Sequence, residues 1–144
     1  MSVRNALLGI EDSDGTPEIR HVSLWNRNVE FIGQDEPWER PAVFLEFGPI
    51  DWQHARPAPD EKCSMHCASE LLLHVVTDCA SGCATVAPSE LSSMRLLSLI
   101  KHWLTGLSGG SFSGLIPVRE LSNHDHGELL EEIVVLRYRG FEHF

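Results

Sequence analysis

The sequence predicts an α+β fold: a single domain in which a mixed, mostly antiparallel β-sheet packs against one long helix, with a short helix at the N-terminus. Three observations predict it. Three runs are apolar, β-branched and of strand length: Arg40-Pro-Ala-Val-Phe-Leu-Glu-Phe-Gly48, Ser69-Glu-Leu-Leu-Leu-His-Val-Val-Thr-Asp78 and Leu129-Leu-Glu-Glu-Ile-Val-Val-Leu-Arg-Tyr138. One strongly amphipathic helical segment separates the second run from the third. The 144 residues are enough for one hydrophobic core.

Residues 2–10 carry Val3, Leu7 and Ile10 at helical spacing, and the turn formers of Glu11-Asp-Ser-Asp-Gly-Thr-Pro17 end that short helix. Residues 19–31 read as extended, with a turn near Asn26 and Asn28. Residues 34–41 read as a loop holding Trp38. Residues 42–47 place bulky groups on both parities, the pattern of an inner strand covered on both faces, and Gly48-Pro49 stops it. Residues 55–62 read as a loop through Pro57, Pro59, Asp60 and Glu61, and residues 71–77 as the next strand.

Pro88-Ser89 opens the long helix, with Ser89 as N-cap and Glu90 in the first turn. Leu96, Leu97, Ile100, Trp103, Leu104 and Leu107 fall on one face at 3.6-residue periodicity. Lys101 and His102 suit the C-terminal dipole, and Gly106 or Gly109 ends the helix. Residues 108–114 form a Gly/Ser loop. Residues 115–121 and 129–139 read as two antiparallel strands joined through Asn123-His-Asp-His-Gly127.

Hydrophobic content of 42% with four Trp is that of an ordinary globular chain. No stretch approaches the roughly 18 apolar residues of a membrane span, so no membrane association is expected. The N-terminus is too short and too soon acidic for a secretory signal, which predicts a protein kept in the cytoplasm. Twenty-one acidic against 11 basic residues give a net charge of −10, which disfavours nucleic-acid binding on average.

The chemical candidates are few. Cys63-x₃-Cys67 and Cys79-x₃-Cys83, with His66 and His74 nearby, have the residue types of a metal site. A strand between the pairs would hold Cys67 and Cys79 on the order of 35–40 Å apart, against a single four-sulfur centre. Four reduced thiols are the ordinary reading; a metal on one pair plus His66 or His74 is the alternative. Asn123-His-Asp-His-Gly127 offers two imidazoles and a carboxylate, but reads first as a polar turn. Gly106-Leu-Ser-Gly-Gly-Ser-Phe-Ser-Gly114 lacks the Gly-Lys-Ser/Thr of a phosphate loop. It also has Phe112 where a nucleophile elbow needs Ser. Trp25, Trp38, Trp52 and Trp103 read as core and interface anchors. These residues assign no catalytic group, no cofactor and no metal.

The order and spacing of the elements resemble the phage tail terminator family, lambda-type proteins that cap the tail tube before head joining. The resemblance lies in Pro41-Ala-Val-Phe-Leu-Glu-Phe47, Ala68-Ser-Glu-Leu-Leu-Leu-His-Val-Val-Thr-Asp78, the helix of residues 89–107, and the last hairpin of residues 122–138. The region around Leu24-Trp25-Asn26 is similar to tail-terminator-like proteins from phage-derived regions of Bacteroidetes genomes. Residues 19–138 carry the resemblance, with residues 1–17 as a variable N-terminal segment of the same single domain. The family's longer first helix is not matched by residues 2–10, and the cysteine pairs are not a family feature.

The resemblance implies a structural virion protein without catalysis: a homo-hexameric ring that docks on the last ring of tail tube protein and stops polymerisation. The ring then presents a surface to the head-tail connector protein. DNA would pass through without specific binding, and assembly would occur in the bacterial host cytoplasm. Residues 53–62 and 108–114 are the loops expected to reach partners. The runner-up is a small cytosolic metal-binding module using a cysteine pair with His66 or His74.

Overall fold

The computed structural model describes residues 2–25, 38–54, 64–78, 88–123 and 129–143. Their elements, in chain order, are α1 (Val3–Leu8), β1 (His21–Leu24), β2 (Ala42–Phe47), β3 (Asp51–His54), β4 (Ser64–Asp78), α2 (Pro88–Leu104), β5 (Phe112–Asn123) and β6 (Leu129–His143). One sheet of six strands runs in the order β1-β2-β4-β6-β5. β1 is parallel to β2, and every other pairing is antiparallel. β2 and β3 occupy the same edge of β4 one after the other: residues 71–76 of β4 face β2 and residues 65–68 face β3. The break between them falls at Gly48-Pro49. There the Gly48 N–H donates to Glu70 O at 2.8 Å and Ser69 Oγ donates to Pro49 O at 2.8 Å.

The expected balance of one long helix on a sheet is overturned. Strands hold more than half of the described residues, and both helices are short beside them. The 17 residues of α2 rise about 25 Å, whereas the 15 residues of β4 extend about 50 Å. The strands outgrow their apolar runs because β4 and β6 pair along their full lengths, from Ser64↔His143 to Asp78↔Leu129. The polar, non-alternating start of β4 is therefore strand by pairing rather than by pattern. The same pairing carries β6 past residue 139.

α1 lies within the predicted segment, and the Ser2 side chain accepts from Asn5 N at its start. α2 begins at Pro88, so Ser89 falls inside the helix and not at its cap. The helix ends at Leu104 because Gly106 takes φ +79°, the left-handed region that glycine enters at little cost. Leu96, Leu97, Ile100 and Leu104 are buried as the periodicity predicts. Trp103, assigned to that face, is 50% exposed, and Leu107 lies beyond the helix. β5 starts at Phe112, so the Gly/Ser segment gives up its last three residues to the sheet. Likewise Gln53 belongs to β3. Residues 26–37, 55–63, 79–87 and 124–128 lie outside the described residues, and with them most of the predicted loops and turns.

Direct cross-strand partners share a face, so the register sorts the two sides of the sheet. One side carries Val43, Leu73, Val75, Val134 and Leu136 against α1 and α2, where Leu7, Ile10, Ile100 and Leu104 complete the main core. The other side carries Ala42, Phe44, Val76 and Leu129, with Trp25 and Trp38 packed on them. Ala42, Val43 and Phe44 are all fully buried, which bears out β2 as an inner strand covered on both faces.

Candidate functional site

Because α2 covers only part of its side of the sheet, the remainder is an open, apolar groove of about 420 Å³. Alternate residues of several strands build it. Leu45 and Phe47 come from β2, Trp52 from β3, Leu71 from β4, Phe112 from β5 and Tyr138 from β6. Phe47, Ile50 and Trp52 are 57%, 44% and 38% exposed. Gly140 forms part of the floor: a Cβ there would stand 2.7 Å from Cys67 Sγ and 4.0 Å from Trp52. A contiguous apolar surface of this kind marks contact with another molecule more often than does a scatter of single apolar residues.

The opposite face carries the strongest polar constellation among the described residues. His74, on β4 and 5% exposed, sits between two carboxylates. Its Nδ1 lies 2.6 Å from Glu131 Oε1 on β6, and its Nε2 lies 2.5 Å from Glu46 Oε2 on β2. Each ring nitrogen thus has a carboxyl oxygen within hydrogen-bonding distance, and the imidazole bridges the two side chains. Glu131 is 2% exposed and also accepts from Asn123 Nδ2 at 3.0 Å. The Trp25 indole lies flat on the imidazole, centroids 3.7 Å apart and planes within 4°. Such a buried pair is held by hydrogen bonding, since either polar group alone would be costly to bury. The arrangement fastens β2, β4 and β6 together and leaves neither ring nitrogen open to a ligand.

Nearby, Arg40 pairs with Asp78 at 2.5 Å and lies over the Trp38 ring at 5.6 Å. Thr77 Oγ1 and Ser93 Oγ are buried without a hydrogen-bond partner among the described residues and line one polar pocket with Arg40 and Arg95. A pocket with such groups has room and donors for water.

The sequence-derived candidates are mostly dispersed. Cys67 is buried against Gly140; Cys63, Cys79 and Cys83 lie outside the described residues. His66 and His74 share a face but stand eight residues apart on one strand, about 26 Å at strand rise. Among the described residues no group of three or more His, Cys, Asp or Glu is placed to hold a metal ion. His124, Asp125 and His126 lie outside the described residues. Trp25 and Trp38 anchor the second core cluster, whereas Trp52 and Trp103 are exposed.

Sequence reasoning weighed His74 only as a metal ligand and missed its pairing with Glu46 and Glu131 and the stacking of Trp25 on it. A usable signal was present. A histidine inside Leu71-Leu-Leu-His-Val-Val76 and a glutamate inside Leu129-Leu-Glu-Glu-Ile133 both require partners if the runs are buried.

No protein-family model matches the chain, and no curated protein sequence is similar to it. Among solved structures, the fold is similar to a chain in "Virion of native gene transfer agent (GTA) particle". The TM-score is 0.56 and the identity 14%, and the match covers 98% of this chain and 92% of that one. The likeness is one of fold, extending over essentially the whole length of both chains.

Proposed function

We propose that the chain is a structural component of a phage-like particle and, more finely, a tail terminator. In this reading copies of the chain form a hexameric ring that caps the tail tube, stops its growth and joins it to the head connector. DNA passes through the bore and the protein performs no catalysis. The observation that carries the reading is the full-length fold match to a chain of a gene transfer agent virion. The resemblance of residues 19–138 to tail terminators, read from element order alone, points the same way. The physical features agree with an assembly role: one apolar groove open to solvent, and a 12-residue strand, β5, at the edge of the sheet.

The test is immunogold electron microscopy on particles from cells that encode the chain, with an antibody against it. Label at the head-proximal end of the tail is expected. Label elsewhere on the particle would retain a virion protein but remove the terminator role. Particles without label, and without the chain by mass spectrometry, would remove both.

A further inference from the structure

The arginines are unevenly placed. Arg119 on β5 and Arg137 and Arg139 on β6 share the helix-free face at the β5 edge. Their register, Val135↔Arg119, Ile116↔Arg137 and Ser113↔Arg139, shows this. Among the described residues Glu70 is the acidic side chain near them, 3.9 Å from Arg119 and 3.8 Å from Arg137. The arginine side chains remain open, 57% exposed at Arg119 and 61% at Arg137. Ile116 and Leu121, 57% and 45% exposed, lie on the same strand face. In a chain of net charge −10, this is a basic, partly apolar surface on an acidic protein.

The opposite edge is complementary. Between α1 and β1 the chain turns through Glu11–Pro17, closed by a bridge between those two residues. Asp12 Oδ1 accepts from Asp14 N and from Thr16 N, both at 2.9 Å, which fixes the turn. Glu11 and Asp14 are exposed. β1, into which the turn leads, is the first strand of the order β1-β2-β4-β6-β5 and β5 is the last. Five strands at about 4.8 Å spacing separate the two edges by roughly 19 Å.

We propose that the Arg119–Arg137–Arg139 face of one copy binds the acidic Glu11–Asp14 turn of the next copy. Two different patches at opposite edges of one subunit make a heterologous contact, the type that closes into rings when its rotation closes. An isologous pairing of this face with itself would oppose arginine to arginine. The proposal rests on the ring-forming reading above and names the contact that builds the ring.

The test uses the whole chain and sedimentation velocity at about 0.02 M and about 0.5 M salt, which brackets strong and weak screening. Wild type is expected to self-associate at low salt and to dissociate at high salt. A variant with Arg119→Glu and Arg137→Glu, and a second with Glu11→Arg and Asp14→Arg, should each stay monomeric. Mixed in equal amounts they should associate again, because each then offers the patch the other lacks. Arg139→Glu alone, a milder change, should weaken association at least severalfold. Circular dichroism and a cooperative melt check that each variant folds.

A wild type that is monomeric in both salts would overturn the proposal, as would association unchanged by the reversals or reversed variants that fail to associate on mixing. Retention of duplex DNA by the wild type without self-association would reassign the arginine face to phosphate and also overturn it. The immunogold experiment is independent: label on the tail with a negative result here would keep the virion role and discard this contact.

Discussion

Replacing His74 by alanine should cost several kcal/mol of stability, about 3–5 from the buried pair alone. The substitution removes the imidazole that joins Glu131 and Glu46 and takes from Glu131, 2% exposed, the hydrogen bond at its Oε1. Breaking a buried ion pair by removing one partner costs about 3–5 kcal/mol. The Trp25 ring, stacked at 3.7 Å, loses its contact as well, a further ~0.5–1.5 kcal/mol. Against a total stability of about 5–15 kcal/mol for a domain, that loss is a large fraction of the whole. Urea unfolding followed by Trp fluorescence, with linear extrapolation to water, measures the loss. Glu131→Leu alone should cost several kcal/mol. The double variant His74→Ala, Glu131→Leu should cost clearly less than the sum of the two singles, because the two groups that meet each other are removed together. Glu46→Gln, at a carboxylate whose side chain is 41% exposed, should cost about 1 kcal/mol or less. A loss below about 1 kcal/mol for His74→Ala, or additivity in the double variant, would refute the reasoning that this pairing holds the site.

Four further outcomes are expected. Gly140→Ala would place a Cβ 2.7 Å from Cys67 Sγ, so overpacking of about 1–3 kcal/mol should appear in urea melts. Cys67→Ala should relieve most of it, and a pair of additive losses would contradict the contact. Gly106→Ala meets no atom within 4 Å but must hold φ +79°, so a loss of about 1 kcal/mol is expected, with Asn at that position losing less. Ser93→Ala removes a buried hydroxyl that has no hydrogen-bond partner among the described residues. It should be neutral or stabilising by up to about 1 kcal/mol, and a clear loss would point to a bridging water. Deleting residues 109–113 removes the first two residues of β5, including Phe112, whose ring lies in contact range of Gly109. It should therefore lower the melting temperature as well as affect assembly; an unchanged melt would mean the start of β5 contributes little.

Local chemistry made much of this architecture legible in the sequence. α1 follows from helical spacing of Val3 and Leu7, and the heart of β2, β4 and β6 from apolar runs too short and too branched for helix. The end of α2 near Gly106 follows from glycine's cheap access to the left-handed conformation, although the sequence left Gly106 and Gly109 equally eligible. Those are local facts, and neighbouring residues decide them.

Other features are set by partners far away in the chain. Ser64–Glu70 is strand because β3 and β6 flank it, and Trp103 is exposed because the sheet beneath α2 is met by a narrower stripe than the periodicity allowed. The cluster of Glu46, His74 and Glu131 joins residues 28 and 57 positions apart. In the sequence each appears only as a polar residue within an apolar run. Pairing β2, β4 and β6 turns three separate liabilities into one satisfied network, and the same pairing gathers Arg119, Arg137 and Arg139 onto one face. The sequence by itself determined the two helical segments and the apolar hearts of β2, β4 and β6 from local periodicity and turn chemistry. Only the tertiary structure decided which faces are covered and which charges meet, because register and strand order couple residues that no local pattern relates.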